Sequence, residues 1–238
     1  MQPHGRIRVD PKISTAKMAE YLEASAHRRE RILCDQKWPA AFITSTYTDA
    51  QNAIRAALVD GGDVAARLRS FATRTQGLFG ATQYETTAIQ CCSSAAARFA
   101  NAFPSLGLDG VTATRPSHVG FTLDVEGVTI TAAPVVLLHR VGRSGAPETG
   151  ALLTMFRKGK PMGPYGGKVA AEIVRRSLDE AGYDGVHPTL CVALDVFGGG
   201  VYRATRHYKQ IAAELTSACR EIADRWPALP ASGAGRAA

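Results

Sequence analysis

Between Ser117 and Glu126 the apolar residues of this chain stop recurring every three or four positions and begin to alternate one by one. Val119, Phe121, Leu123 and Val125 fall on one side, Gly120, Thr122, Asp124 and Glu126 on the other. Strict alternation puts each set on one face of an extended strand, whereas a helix gathers positions i, i+3 and i+4 on one side. The change of period divides the chain into a helical first part and a sheet-bearing second part, so its fold has to be mixed α/β.

Upstream of that point the pattern is helical. Residues 14–33 open with Ser14 or Thr15 as cap candidates and contain few breakers. In 47–59, Ala50, Ala53, Ile54, Ala57 and Leu58 share a face, and Gly61 and Gly62 stop the run. Asp63 is placed to cap a third helix with Val64, Leu68, Phe71 and Ala72 together. Thr82 and Glu85 have the spacing of a capping box for a fourth, whose stripe is Ala88, Cys92, Ala95, Phe99 and Phe103 before Pro104.

Downstream, Gly127 permits a turn into a second apolar segment, 128–139. Pro134 interrupts it, and a proline belongs in a sheet only at an edge or an irregular point. Residues 149–156 read as a third strand. A helix follows with Val169, Ala170, Ile173, Val174, Leu178 and Ala181 inward and Gly182 as its stop. The continuously apolar 189–197, around Asp195, predicts a central strand covered on both faces. A last helix over about 205–226 aligns Ile211, Leu215, Cys219, Ile222 and Trp226 before Pro227. The expectation is one α/β domain over 10–228, with a mainly helical part at 10–104 leading into a mixed β-sheet core at 115–228. The order in that core is three strands, helix, strand, helix, and 1–9 and 229–238 are expected to be flexible tails rich in small or polar residues.

With 238 residues and 45% hydrophobic content, the chain is long enough to bury a large core. No apolar run approaches the roughly 20 residues of a membrane span, and a basic start followed by an apolar stretch is absent from the N-terminus. No membrane partner and a cytoplasmic location are therefore expected. Cys34, Cys91, Cys92, Cys191 and Cys219 contain no CxxC pair, which favours reduced thiols over a disulfide framework or a zinc site. A formal charge of +7 favours a polyanionic partner such as DNA or RNA.

Familiar motifs fail on inspection. GPYGGK at 163–168 has Met162 where a Walker A loop needs its first glycine and Val169 where it needs a hydroxyl. FGGG at 197–200 lacks the glycine spacing of a dinucleotide fingerprint, and Ala146 stands where a nucleophile elbow at Ser144 needs glycine. The histidines form neither an i, i+4 pair nor a cluster with cysteine, so no zinc or other resident cofactor is expected.

The order three strands, helix, strand, with Pro134 and a lysine-rich loop after the third strand, resembles the core of the restriction-endonuclease-like, or PD-(D/E)XK, superfamily, including its RecB-like members. The resemblance covers about residues 80–225. It implies a site in which Pro-Asp on the second strand and acid-x-Lys on the third surround Mg²⁺. Pro134 matches the proline, but Val135 replaces the acid; Leu153 stands at the lysine, and Leu152 or Ala151 at the second acid. Glu85 matches the upstream helical glutamate of the RecB-like members, although its capping box accounts for it equally well.

The reading that follows is a nuclease-fold protein without catalysis that binds nucleic acid or a protein partner. The residues expected to meet phosphate are Arg157, Lys158, Lys160 and Lys168 around the third-strand loop, and Arg203, Arg206 and Lys209 near the last helix. Two alternatives stand beside it. One is a Mg²⁺-dependent nuclease in which Asp124, Glu126 and Glu148, with Lys158, form a displaced acidic site. The other is a structural or interaction protein that does not bind nucleic acid.

Overall fold

The computed structural model describes residues 7–39, 46–118, 120–205 and 208–230. A short strand, β1 (Lys12–Ser14), leads into α1 (Thr15–Glu23), with the Ser14 hydroxyl accepting from the Lys17 backbone as its cap. The predicted single helix over 14–33 is in fact two. The backbone is extended at Ala24 and Ser25, and α2 (Ala26–Lys37) starts afresh. Then come α3 (Thr48–Asp60), α4 (Val64–Gln76) capped by Asp63, and α5 (Gln83–Ala102), followed by a 3₁₀ turn at Phe103–Leu106.

The second part carries β2 (Thr112–Thr114), β3 (Phe121–Val125), β4 (Val128–Ala132), β5 (Val136–Val141), β6 (Pro147–Met155), α6 (Pro164–Glu180), β7 (Val186–Asp195), β8 (Val201–Arg203) and α7 (Lys209–Arg225). These strands form two sheets rather than one core sheet. The smaller has the order β1-β4-β3, and the larger the order β2-β5-β6-β7-β8. The expected run of three strands is thereby divided. The segment 128–139 is two strands, and Pro134, which has no N–H for a ladder, marks where the chain leaves β4 in one sheet and enters β5 in the other. In the larger sheet β5 and β6 are antiparallel, while β6 and β7 are parallel and joined by the α6 crossover.

Each face of the larger sheet has its own core. Val136, Leu138, Leu152, Val192 and Leu194 pack with Ile54, Leu68 and Phe99 of α3–α5. Leu137, Ala151, Leu153, Met155 and Ala193 pack on the other side with α6, α1, α7 and the smaller sheet. Because β6 is covered on both faces, its residues 149–155 are all buried, which explains a run without alternation. α6 contacts β6, β7 and β8 of one sheet and β3 and β4 of the other. It sits close to β8 because Gly167 has no side chain; a Cβ there would lie 2.1 Å from the Tyr202 ring.

The predicted inward residue Ala181 is exposed, since the helix has already ended there. Of the segments expected to be flexible tails, residues 7–9 and 229–230 are described; Ile7, Val9 and Pro230 are exposed, and the chain is held at a few points. The Trp226 indole donates to the Arg8 and Val9 carbonyls, and Leu229 lies in the core. Lys37, also buried, donates its ammonium to the Trp226 and Pro227 carbonyls at 2.6 and 3.1 Å, closing the C-terminal end of α7. Among the described residues no helix is long and apolar enough to cross a membrane.

Candidate nucleic-acid interface

In an open sheet with parallel strands, the carboxyl ends of those strands and the loops leaving them form the usual crevice for ligands. Here that end belongs to β6 and β7. Phe156 leaves β6 and Phe197 leaves β7, and Tyr47, just before α3, stacks on Phe156 at 4.7 Å and meets Phe197 edge-on at 5.7 Å. All three rings are only half-buried.

From this aromatic floor the loop 157–163 projects, and it is fixed at both ends. At its start, Arg157 approaches Glu20 of α1 at 3.9 Å. Glu20 also takes the Lys17 ammonium at 2.9 Å and the Arg28 guanidinium at 2.5 Å. Burial pushes the Glu20 carboxyl up, but hydrogen bonds and charge from Lys17 and Arg28 outweigh it and hold the group at about 2. Three cations thus share one carboxylate. Arg157 Nη1 is buried and has no acceptor among the described residues.

At the far end of the loop, the fully buried Asp195 accepts from the Met162 amide at 2.7 Å, and from Phe197 and Gly198 at 3.2 and 3.0 Å. The Tyr202 hydroxyl donates to the Met162 carbonyl at 2.8 Å. One carboxylate therefore ties the β6 loop to the turn after β7. Lys158 and Lys160 stand exposed between these anchors, and Lys168 is exposed on the first turns of α6. The α6 N-terminus itself is occupied, because Glu23 accepts from the Gly166 amide at 2.7 Å.

The remaining expected phosphate contacts lie elsewhere. Arg203 pairs in register with Val192, well below the carboxyl end of β7, and its guanidinium donates to the Leu106 carbonyl on the α5 side of the sheet. Burial, with the Arg140 charge adding to it, pushes its pKa down. Arg203 caps a turn and does not join the basic rim. Lys209 opens α7 beside an open groove of about 510 Å³ lined by Arg175, Arg176, Tyr208 and Arg220. That groove is largely neutralised: Arg175 pairs with Glu172 and Asp179, and Arg220 with Glu126. Arg206 lies outside the described residues.

The displaced acidic site does not assemble. Asp124 accepts from the cross-strand Thr129 hydroxyl at 2.6 Å in the smaller sheet. Glu126 has φ 49°, as the first residue of the β3–β4 turn, and pairs with Arg220 at 2.9 Å. A hydrogen bond from Arg220 lowers its pKa. Glu148 pairs with Arg140 at 2.6 Å near the start of β6. Lys158 follows the end of that strand, so seven residues of extended chain, about 23 Å, separate Glu148 from Met155 alone. Glu85 completes both halves of the α5 capping box, bonding the Thr82 backbone at 3.1 Å on an exposed surface.

At the positions the resemblance reserves for metal chemistry, Val135, Leu152 and Leu153 are buried hydrocarbon. The Arg55 guanidinium donates to the Val135 carbonyl at 3.0 Å, placing a positive charge beside that position. Among the described residues no group of three or more His, Cys, Asp or Glu is gathered as a set of metal ligands.

The sequence reading missed Glu20, Glu23, Lys17, Arg28 and the aromatic trio. Helical spacing alone does show Lys17 and Glu20 one turn apart, but not that Arg157 would reach the same carboxylate. No protein-family model matches this chain, and no curated protein matches it either.

Proposed function

We propose that this protein binds nucleic acid through the carboxyl end of β6 and β7, on a restriction-endonuclease-like core whose metal-holding positions have become hydrocarbon. The observation that carries the reading is the anchored basic loop. Lys158 and Lys160 stand exposed on a loop that follows Phe156, with Arg157 close to Glu20 at one end and Met162 bonded to Asp195 at the other. A loop held in place loses less conformational entropy on binding, and Lys17, Arg28 and Arg157 together exceed the charge of the single Glu20. The antiparallel β5–β6 pair, followed by α6 and the parallel β7, supports the core assignment. Buried Val135 and Leu153, with Arg55 close by, support a role without the family's usual metal chemistry.

The test is binding of labelled single-stranded and duplex DNA and RNA across a salt series. Each phosphate contact contributes a slope of roughly 0.7–0.9 in log affinity against log salt. The triple variant Lys158→Ala, Lys160→Ala, Lys168→Ala is expected to lower that slope by about 2 to 3. Undetectable binding at low salt, or a slope unchanged in the variant, removes this interface from the account and favours a protein partner.

A further inference from the structure

The hairpin joining α4 and α5 displays an unusual amount of apolar surface. Leu78 is 53% exposed, Phe79 80% and Tyr84 51%. Isolated exposed apolar residues are ordinary, but three at one hairpin tip form a patch. The tip is built rather than loose. The Gly80 amide donates to the Thr86 hydroxyl at 3.0 Å, the Leu78 amide to the Thr75 carbonyl at 3.1 Å, and the capping box closes α5. Gly80 folds so tightly against α5 that a Cβ there would lie 2.2 Å from the Glu85 Cβ. The loop thus holds Phe79 outward, 80% exposed.

The tip's position follows from the direction of α5. At its C-terminal end the Leu106 carbonyl takes Arg203, level with Val192 and Leu152 in mid-sheet. Further back, Cys92 donates to the Thr46 carbonyl at 3.1 Å, and the next residue, Tyr47, stacks on Phe156 at the end of β6. α5 therefore runs opposite to β6, and its first turns continue past the sheet. From Cys92 to Tyr84 is eight residues, about 12 Å of helix. The aromatic tip overhangs the same end of the molecule from which Lys158 and Lys160 project. Exposed Arg74, in the last turn of α4, lies next to it in the chain, and its one acid, Glu85, is engaged in the capping box.

We propose that Phe79 and Tyr84 stack on unpaired bases of a single strand whose phosphates are held by the basic loop. The inference rests on the nucleic-acid reading above and adds a substrate class, unpaired bases, to it. Rings displayed on a fixed loop close to an arginine suit this ligand, because every base offers a π-face and sequence is then read only weakly. Charge complementarity favours a polyanion over an apolar peptide at this site.

The experiment compares a fluorescein-labelled 20-mer of thymidine with an abasic 20-mer of equal phosphate count, by anisotropy at fixed salt. The wild type is expected to bind the base-bearing strand at least about tenfold more tightly, as stacking of one or two bases implies. Phe79→Ala with Tyr84→Ala removes that preference, leaves the abasic affinity and the salt slope unchanged, and leaves Tm unchanged. Phe79→Trp retains the preference. Binding of both strands without discrimination, or discrimination that survives the double alanine variant, overturns the stacking role while leaving the basic interface standing. Binding of neither strand overturns both. A wild type that dimerises through this tip, with the double variant monomeric and equal in strand binding, assigns the patch to a second copy and also overturns the proposal.

Discussion

Two carboxylates hold the candidate interface together, and they do so by different physics. Among the described residues no cation pairs with Asp195; three backbone amides satisfy it in a fully buried position. Removing the carboxylate in Asp195→Ala leaves those amides without an acceptor, which costs about 3 kcal/mol. Urea unfolding should register that loss. A change below about 1 kcal/mol would mean that water takes over the role. Glu20 works by charge instead. Its folded pKa of about 2 lies below the ordinary carboxylate value near 4.3, so its contribution is fully present above that ordinary value and is lost as pH falls toward 2. Glu20→Gln is expected to lower Tm above about pH 4.5 and to converge with the wild type as pH approaches 2. Parallel melting curves across that window would show that Lys17, Arg28 and Arg157 do not depend on the charge.

At the scale of elements, the helices were the more legible part. Local chemistry decides them: Asp63 caps α4, Thr82 and Glu85 close a capping box, and Gly61 ends α3. The break between α1 and α2 was not legible, because Ala24 and Ser25 are tolerable helix residues and only tertiary packing separates the two segments. For the strands, alternation identified β3 and the apolar runs identified β6 and β7. Short strands carry too few residues for a period, so β1, β2 and β8, of three residues each, left no trace. Pro134 was visible as an interruption, but a sequence does not say whether the chain resumes in the same sheet. That single ambiguity turned two sheets into one expected sheet. It also brought Asp124 and Glu126 close to a site from which the fold separates them. The basic loop was legible from its lysines, whereas its anchors Glu20 and Asp195 were not, since each acts on residues remote in sequence.

For the molecule as a whole, the two sheets are joined through α6 and the chain crossing at Pro134, and the proposed interface sits where α1, α6 and the larger sheet meet. Elsewhere, Trp226 binds the Arg8 and Val9 carbonyls while Lys37 secures the end of α7. In effect the described chain is closer to a ring than to a line. Cutting it between Gly61 and Gly62, where no neighbouring atoms would crowd an added side chain, and splicing Arg8 to Leu229 through a short flexible linker would reorder the sequence without disturbing either core. Such a permutant is expected to melt cooperatively and to keep the parent's far-ultraviolet circular dichroism; a broad, non-cooperative transition would mean that the clasp forms too late in folding to substitute for chain connectivity.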